Sequence, residues 1–380
     1  MLYRRFPKVP ELEISTLGLG CMRLPTLGDD PAAIDDAAAT AILSAALDSG
    51  VNYIDTAWPY HKQMSEPWLG AAVESLGCRD RVLLATKAPV WLIEKNADWE
   101  CYLSAQLEKL RTDHIDFYLV HALNGKRWKT VLETGGLEFL AKAKADGRIG
   151  HLGFSFHDTL DSFKTIVDGW SDWEFCQLQY NYFDEDYQAG DAGIRYAAER
   201  DIGVIVMEPL RGGVLARVPD AVREIFSRYP VPRMPAEWAL RHVLDRQETV
   251  TVLSGMGAAG QLWENAGVAS SAAPNSITKS ERAILDEARA WFVSKMAVPC
   301  TACGYCRPCP SGVNIVDTFG MWNEAAMFDT LEANAKQYQA SLAAKGNGAD
   351  ACVECGECVS KCPQGIAIPA RLKEARATLG

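Results

Sequence analysis

The sequence predicts an α/β fold, a closed (β/α)8 TIM barrel over residues 1–293, followed by a small α-rich domain over residues 294–380. Two observations lead to this prediction. Short β-rich runs alternate with helix-like stretches through the first 290 residues, and the composition changes near residue 294, after which eight of the twelve cysteines occur. An open nucleotide-binding sheet would want G-x-G-x-x-G after its first strand, but "GLGCMRLP" (18–25) lacks the third glycine. The closed barrel is therefore favoured.

The predicted strands are short runs rich in β-branched and aromatic residues, separated by segments that are apolar at helical spacing. Gly50 follows the first of these helical segments, where a helix commonly ends. The helical segments include 38–50, 101–112 and 236–246. The eight predicted strands are 17–22, 52–56, 82–87, 115–120, 151–155, 175–179, 203–207 and 249–255.

Composition and charge exclude several classes of function. The net charge of −11 argues against a nucleic-acid surface or an anionic membrane as partner. We find no run of about 18 apolar residues, and "MLYRRFPKVPELEI" (1–14) has no apolar stretch after its basic residues. Closely spaced cysteines without an export signal point to metal ligation in a reducing compartment. We therefore expect a cytoplasmic protein without a signal peptide or membrane span.

Four polar residues follow consecutive predicted strands at the end where barrel enzymes carry their chemistry. Asp55 and Tyr60 follow the second strand, Lys87 ends the third and His121 follows the fourth. A phenol with a reference pKa of about 10 is a poor acid near neutrality, but a neighbouring lysine stabilises its phenolate. An aspartate would hold that lysine charged, and a neutral histidine would offer a hydrogen bond to a carbonyl oxygen. Together these four residues are predicted to protonate a carbonyl oxygen while hydride reaches the carbon.

This arrangement resembles the aldo-keto reductase family over roughly residues 10–290. Further matches are "GLGCMRLP", "GFSFH" with Ser155, "QLQYN" with Gln177 and Asn181, "MEPLRGG" (207–213) and "ENAGV" with Glu264. The resemblance implies reduction of a carbonyl, or oxidation of an alcohol, with Tyr60 as the acid. It also implies that Ser155 and Gln177 contact the nicotinamide carboxamide. The other cofactor-binding residues that it implies are Cys21, Met22, Met207, Pro209, Leu210, Arg211, Gly255, Gln261, Glu264 and Asn265.

The sequence departs from the family pattern at the expected cofactor site. Phe156 stands where an asparagine is usual, and Met207 stands where a tyrosine usually stacks on the nicotinamide. Gly255 and Gln261 occupy positions where lysine and arginine usually bind the 2′-phosphate of NADP. Without a nearby cation, a preference for NADP loses its physical basis. We therefore predict NAD(P)(H) with NAD favoured over NADP, and a flavin remains an alternative.

Three tryptophans lie on loops just past the strands that carry the four polar residues. Trp58, Trp91 and Trp128 are candidates for an apolar wall around a small carbonyl or alcohol substrate. Packing against a neighbouring loop is an equally good interpretation of each. An aromatic wall would suit a planar substrate or flank a flavin.

The cysteines of the tail form two matched runs, "CTACGYCRPCP" (300–310) and "CVECGECVSKCP" (352–363). Three cysteines at two-residue gaps followed by Cys-Pro are typical of bacterial two-cluster ferredoxins, in which the fourth ligand comes from the other run. Zinc ribbons, the alternative, use pairs of cysteines separated by a longer loop. We predict a ferredoxin-like domain with a two-helix insertion at 316–344 and two [4Fe–4S] clusters. The predicted ligand sets are Cys300, Cys303, Cys306 and Cys362 for one cluster, and Cys352, Cys355, Cys358 and Cys309 for the other.

The two predicted halves differ in how they handle electrons. A nicotinamide transfers two electrons as hydride, whereas an iron–sulfur cluster transfers one, so a flavin between them would act as the splitter. The leading interpretation is an iron–sulfur oxidoreductase that exchanges electrons with an external carrier such as a ferredoxin- or flavodoxin-like protein. One alternative is a plain NAD(P)H-dependent carbonyl reductase with structural clusters. Another is a non-enzymatic electron carrier or redox sensor.

Overall fold

The computed structural model describes residues 1–28, 30–300, 302, 304–362 and 364–380. The chain forms two compact units. The first comprises Met1–Gly212 and Ala236–Ile277, and the second comprises Gly213–Pro235 and Thr278–Gly380. Within the described ranges, no helix combines the length and the apolar character needed to cross a bilayer.

The first unit is a closed barrel of eight parallel strands in sequence order, with the last strand paired to the first. The predicted fold class is confirmed, and all eight predicted strands form. The ends differ by a few residues; the first strand stops at Gly20 because Cys21–Arg23 turn into a short 3-10 helix. The barrel strands are β3 (Leu17–Gly20), β4 (Tyr53–Asp55), β5 (Leu83–Ala88), β6 (Ile115–Leu123), β7 (Ile149–Phe156), β8 (Phe175–Gln179), β9 (Gly203–Met207) and β10 (Thr249–Ser254).

Helices alternate with the strands and cover the outside of the barrel. The first begins after Asp35, whose side chain accepts a hydrogen bond from the Ala38 N–H. It ends before Gly50, which has a positive φ, as is typical of glycine just past a helix end. In chain order the helices are α1 (Asp36–Asp48), α2 (Ser65–Ser75), α3 (Asn96–Leu110), α4 (Gly125–Glu133), α5 (Gly136–Ala145), α6 (Leu160–Asp168), α7 (Gly190–Ala198), α8 (Asp220–Ser227) of the second unit, α9 (Pro235–Leu244) and α10 (Ala259–Ala269).

An antiparallel hairpin that the sequence analysis did not predict fills one end of the barrel. It consists of β1 (Tyr3–Phe6) and β2 (Val9–Ser15). Phe6 is fully buried, and its ring lies 5.6 Å from that of Phe117 and 5.5 Å from that of Phe175. It sits so close to the start of β9 that a β-carbon on Gly203 would lie 1.9 Å from its ring. Since the hairpin packs at the amino ends of the strands, their carboxyl ends remain available for a site.

The second unit is helical. The two-helix insertion predicted at 316–344 is present as two consecutive helices. The helix before it begins with a capping box, in which the side chains of Thr278 and Glu281 each accept a hydrogen bond from the backbone N–H of the other residue. Arg233 forms an ion pair with Glu281. Besides α8, the helices of this unit are α11 (Lys279–Lys295), α12 (Ile315–Phe328), α13 (Leu331–Ser341), α14 (Glu357–Lys361) and α15 (Ile368–Leu379).

The helical unit has a hydrophobic core of its own, and several cysteines take part in it. Cys306 is buried in this core, and Cys300, Cys309, Cys352, Cys358 and Cys362 pack against it. The central apolar residues of the core are Val298, Ile315, Phe319, Trp322, Tyr338, Ile366, Ile368 and Leu372. The cysteine runs are therefore part of the packing of this unit.

Candidate active site and cysteine-rich region

The four polar residues predicted at the strand ends lie at the carboxyl end of the barrel. Asp55 is the last residue of β4, and Lys87 lies near the end of β5. His121 lies near the end of β6, a strand that is longer than predicted. Tyr60 begins the short 3-10 helix Tyr60–Gln63. Because β4, β5 and β6 are adjacent parallel strands, their ends bring these side chains to one place.

Lys87 is the centre of the constellation. It is fully buried, and its Nζ lies 2.6 Å from Oδ1 of Asp55, 2.8 Å from the carbonyl oxygen of Thr56 and 3.4 Å from the hydroxyl of Tyr60. An ammonium has three N–H donors, and these three oxygens account for all of them. The phenol of Tyr60 is therefore held against a buried cation that stabilises its conjugate base.

Gln177 has a role that the sequence analysis did not predict. Its Nε2 donates to Oδ2 of Asp55 at 3.2 Å, and both residues are buried. Asp55 is thus held from both of its oxygens, by Lys87 and by Gln177. No motif spacing could reveal this bond, because the two residues are 122 positions apart in the chain.

The surroundings shift the acidity of all four residues. Burial raises the pKa of Asp55, and the charge of Lys87 and the hydrogen bond from Gln177 oppose that rise. Burial raises the pKa of Tyr60, and the charge of Lys87 opposes that rise. Burial alone would lower the pKa of Lys87, but Asp55 and Tyr60 together raise it above its ordinary value, so the ammonium stays charged. Burial, with the nearby cations Lys87 and Arg127 and the ring of His157, lowers the pKa of His121 well below its usual range. His121 is therefore neutral near pH 7.

A second polar cluster contacts the backbone of Lys87. Gln106 of α3 donates from Nε2 to the Lys87 carbonyl oxygen (3.1 Å) and to Oε1 of Glu66 (2.6 Å). Thr86 donates to the same Glu66 oxygen, and the Tyr118 hydroxyl donates to Oε1 of Gln106. All of these side chains are buried. Polar residues on the apolar faces of α2 and α3 are the sequence signal from which this cluster could be predicted.

A cavity of about 470 Å³ opens over Tyr60 and His121. Its wall contains one of the three predicted tryptophans, Trp91, whose ring lies 5.0 Å from that of His121. The residues that line the cavity are Met22, Pro59, Tyr60, His61, Trp91, His121, Ala122 and Arg127. Cys21, next to Met22, is fully buried.

The other two tryptophans lie elsewhere, and their prediction as pocket residues is corrected. Trp58 turns toward α3, where its ring makes an edge contact with Tyr102 at 5.0 Å and lies 3.3 Å from Nζ of Lys109. Trp128 is buried on the inner face of α4 and packs against Trp173 at 6.3 Å. Both tryptophans therefore follow the alternative of packing against neighbouring elements.

Several residues predicted to bind the cofactor are engaged in hydrogen bonds within the barrel. Ser155 is buried, and its Oγ accepts a hydrogen bond from the Ala122 N–H at 2.7 Å. Nε of Arg211 donates to Asp184 at 3.2 Å, and Asn181 donates to the same carboxylate. Met207 ends β9, and Pro209 and Leu210 form the turn that follows it.

The loop after β10 carries the remaining predicted cofactor residues. Oε1 of Gln261 accepts from the Gly257 N–H at 2.9 Å, and Nδ2 of Asn265 donates to Oγ of Ser254 at 3.2 Å. Glu264 is exposed on the surface of α10. Contact of these residues with a nucleotide stays a prediction.

The expectation that no cation lies near Gly255 is wrong, because Arg23 reaches across from the loop after β3. A β-carbon on Gly255 would lie 3.1 Å from Cδ of Arg23, and one on Gly212 would lie 3.4 Å from its Nη2. Arg23 forms no ion pair with any described residue, and it is exposed. In the family pattern this positive charge follows the eighth strand of the barrel, whereas here Arg23 supplies it from the loop after the first strand.

Three residues of the first predicted set of cluster ligands line a small cavity in the helical unit. Cys300, Cys306 and Cys362 line it together with Gly304. The remaining walls are mainly apolar: Ile315, Val316, Phe319, Ile366 and Ile368, with Gln364. Cys303 lies outside the described residues. The structure thus brings Cys362 of the second run to cysteines of the first run, as the crossed assignment requires.

The second predicted set is also close together. Burial raises the pKa of Cys358, and the thiolates of Cys352, Cys309 and Cys355 raise it further. Within the described residues, no three cysteine, histidine or acidic side chains converge closely enough to ligate one metal ion. A [4Fe–4S] cluster binds each thiolate through a different iron, so its ligands surround a void instead of meeting at a point. The assignment of both sets of cysteines to clusters stays a prediction.

Comparison with known proteins agrees with this geometry. Residues 299–367 match the model of the 4Fe-4S dicluster domain. The chain is 28% identical over 218 residues to the uncharacterized oxidoreductase YqkF of Bacillus subtilis, a match that covers 55% of this chain and just under two thirds, 65%, of that protein.

Solved structures share the fold of the barrel. An aldo-keto reductase of Bacillus halodurans in its holo form superposes with a TM-score of 0.61 at 24% identity, covering 76% of this chain and 96% of that one. An aldo-keto reductase of Klebsiella pneumoniae in complex with NADPH gives 0.59 at 21% identity, covering 75% and 94%. Residues 16–288 match the model of the aldo/keto reductase family, and the chain therefore belongs to that family.

Proposed function

We propose that the protein is an oxidoreductase that reduces a small carbonyl compound, or oxidises the corresponding alcohol, at the carboxyl end of its barrel. In this proposal two [4Fe–4S] clusters in the helical unit exchange electrons with a ferredoxin- or flavodoxin-like carrier. The observation that carries the proposal is the contact of buried Lys87 with both Asp55 and the Tyr60 hydroxyl beside an open cavity. A pure scaffold has no physical need for this buried charge pair.

In the proposed reaction, four side chains share the proton chemistry. Tyr60 donates its phenolic proton to the carbonyl oxygen of the substrate, and Lys87 stabilises the phenolate that remains. Asp55 and Gln177 hold Lys87 in place. His121, neutral and at the cavity wall, orients the carbonyl by a hydrogen bond. Its Nδ1 is buried without a hydrogen-bond partner among the described residues.

A nicotinamide cofactor, when bound, supplies the hydride for the substrate carbon. The NADPH in the related structure from Klebsiella pneumoniae supports this choice of cofactor. Arg23 offers a cation for the cofactor's phosphates, next to the glycines Gly212 and Gly255 that allow close approach of a ligand. The predicted preference for NAD over NADP depended on the lack of a nearby cation, and the position of Arg23 removes that ground. A flavin stays the alternative cofactor of the barrel.

We predict that Arg23→Met weakens the binding of both NADH and NADPH by about 10-fold, because a guanidinium between two loops suits the pyrophosphate that both nucleotides share. The measurement is a fluorescence titration of each nucleotide. Arg5→Met is the matched control, since Arg5 makes an exposed ion pair with Glu13 on the N-terminal hairpin. A loss confined to NADPH would instead assign Arg23 to the 2′-phosphate and would contradict the predicted preference for NAD.

One observation favours a second candidate function, a plain NAD(P)H-dependent carbonyl reductase with structural clusters. The cysteines pack against the hydrophobic core of the helical unit, so clusters would also brace that core. When bound, a [4Fe–4S] cluster supplies one-electron transfer, which a hydride donor does not match without a splitter.

An anaerobic titration separates the two candidates. The brown protein is assayed for iron and sulfide and then titrated with NADH and with NADPH, while the visible cluster absorption and the EPR signal are followed. We expect bleaching by at least one nucleotide, and release of a flavin on denaturation would identify the splitter. If dithionite reduces the clusters and neither nucleotide does, although carbonyl turnover proceeds, the plain reductase replaces the leading proposal. Absence of carbonyl turnover with either nucleotide would overturn the reductase assignment.

A further inference from the structure

We propose that the substrate carries a carboxylate and that Arg127 binds it inside the cavity over Tyr60 and His121. This inference rests on the proposed carbonyl reduction and deepens it by naming the class of substrate. The reaction is that of an oxo acid: hydride reaches the carbonyl carbon, the proton of Tyr60 reaches the oxygen, and the product is the hydroxy acid with oxidised nicotinamide.

Contacts with the backbone and with Trp91 fix the position of the Arg127 guanidinium. Arg127 lies in the first turn of α4, where its N–H donates to Oδ1 of the capping Asn124 at 2.8 Å. Its Nη1 donates to the carbonyl oxygen of Ala122 at 2.7 Å, and its guanidinium carbon lies 5.3 Å from the centre of the Trp91 ring. One of five guanidinium donors is thereby used. The others remain for a ligand next to a flat aromatic wall.

Arg127 is the only permanently charged residue among the described residues that line the cavity. His61 accepts from the Leu24 N–H through Nε2 and bonds the Pro31 carbonyl oxygen through Nδ1, which requires the neutral ring. His121 is neutral for the reasons given above, and the charge of Lys87 is matched by Asp55. The cavity wall therefore bears one net positive charge, in a chain whose net charge is −11.

No carboxylate within the described part of the chain neutralises Arg127. It forms no ion pair among the described residues, and the oxygens of Asp158, on the neighbouring loop, accept hydrogen bonds from the N–H groups of Gly125 (3.0 Å) and Thr159 (2.8 Å). Partial burial of Arg127 lowers its pKa, which reflects the cost of an uncompensated charge. A half-buried cation without a partner is favoured when a ligand supplies the opposite charge.

A carboxylate is the anion that fits these contacts best. The guanidinium is planar and matches a carboxylate through two parallel hydrogen bonds. The ring of Trp91 beside it accepts a flat substrate body between the charge and the reacting carbonyl.

The test compares matched substrates that differ only in charge. 4-Formylbenzoate is compared with 4-formylbenzamide, and 4-oxobutanoate with 4-oxobutanamide, in steady-state assays of the holoprotein with NADH and with NADPH. We expect kcat/KM to favour each acid over its amide by about 10- to 100-fold. Arg127→Gln, which keeps a donor for the Ala122 carbonyl, is expected to remove most of this preference, mainly through the KM of the acids. Lys126→Gln is the matched control, because it removes the same charge from an exposed neighbour that does not line the cavity.

The outcomes separate this inference from the reductase assignment. Equal kcat/KM for acids and amides in the unaltered protein, or an acid preference that survives in Arg127→Gln, would overturn the inference while leaving the reductase intact. Loss of the preference in Lys126→Gln as well would trace it to long-range charge and would also overturn it. If neither acid nor amide is reduced, the proposed function fails; calorimetric titration with benzoate then still tests the site, and absence of Arg127-dependent binding would overturn it.

Discussion

Replacing Tyr60 by phenylalanine is expected to lower kcat for carbonyl reduction by about 10³-fold or more. General acid catalysis typically contributes 10²- to 10⁴-fold, and Tyr60 is the only phenol within hydrogen-bonding distance of Lys87 among the described residues. Phenylalanine fills the same space, so the fold and the binding of nucleotide should persist. The loss should therefore appear in kcat and not in the affinity for the cofactor.

The pH dependence of the unaltered protein checks the same assignment. Burial raises the pKa of Tyr60 above its ordinary value of 10.0, so the phenol holds its proton throughout the neutral range. Reduction needs the protonated form, and kcat/KM should decline only as the pH rises through that raised pKa. The reverse reaction, oxidation of an alcohol, needs the phenolate and should accelerate in the same range. His121 contributes no step near pH 7, because its pKa is already lowered well below that point.

The control for this substitution is Tyr102→Phe. Tyr102 lies on α3 and contacts Trp58, away from the cavity, so loss of its hydroxyl should leave kcat unchanged. Dithionite should reduce the clusters equally in both variants and in the unaltered protein. Turnover above about a tenth of normal in Tyr60→Phe would contradict the role of Tyr60 as the acid.

Replacing Cys362 by serine is expected to remove one cluster and leave the other, so that iron falls from about eight to about four atoms per chain. Cys362 belongs to the second cysteine run, but it lines the same cavity as Cys300 and Cys306 of the first run. We therefore expect it to complete the cluster of the first run. Cys309→Ser should also remove about four irons, from the other cluster, because Cys309 is the predicted fourth ligand of that cluster.

Double substitutions test this crossed arrangement directly. If Cys300 and Cys362 bind the same cluster, their double variant should lose no more iron than either single variant. The double variant of Cys362 and Cys309 should lose both clusters. The opposite pattern, in which Cys300 and Cys362 together remove all iron, would show that each run builds its own cluster. Cys101→Ser, at an exposed position on α3, is the control that should keep all of the iron.

The features that the sequence predicted depend on local patterns. Strand and helix periodicity identified all eight barrel strands, because each segment buries its own apolar face. The order of the parallel strands then placed Asp55, Lys87 and His121 at adjacent strand ends without any knowledge of their contacts. The spacing of the cysteines predicted the crossed ligand sets, since it reflects the reach of a tight loop around a cluster. These properties are encoded within short stretches of chain.

Contacts between distant segments could not be predicted in the same way. The bond of Gln177 to Asp55, the reach of Arg23 across Gly255 and the packing of Phe6 into the barrel each join residues far apart in sequence. The direction of a side chain depends on its rotamer and on its neighbours, so Trp91 faces the cavity while Trp58 and Trp128 pack between helices. The net charge of the cavity could not be predicted either, because it depends on which cations form ion pairs in the folded protein. The sequence by itself determined the barrel, the four polar residues and the two cysteine runs; only the tertiary structure decided which side chains meet, because packing and electrostatics act through space and not along the chain.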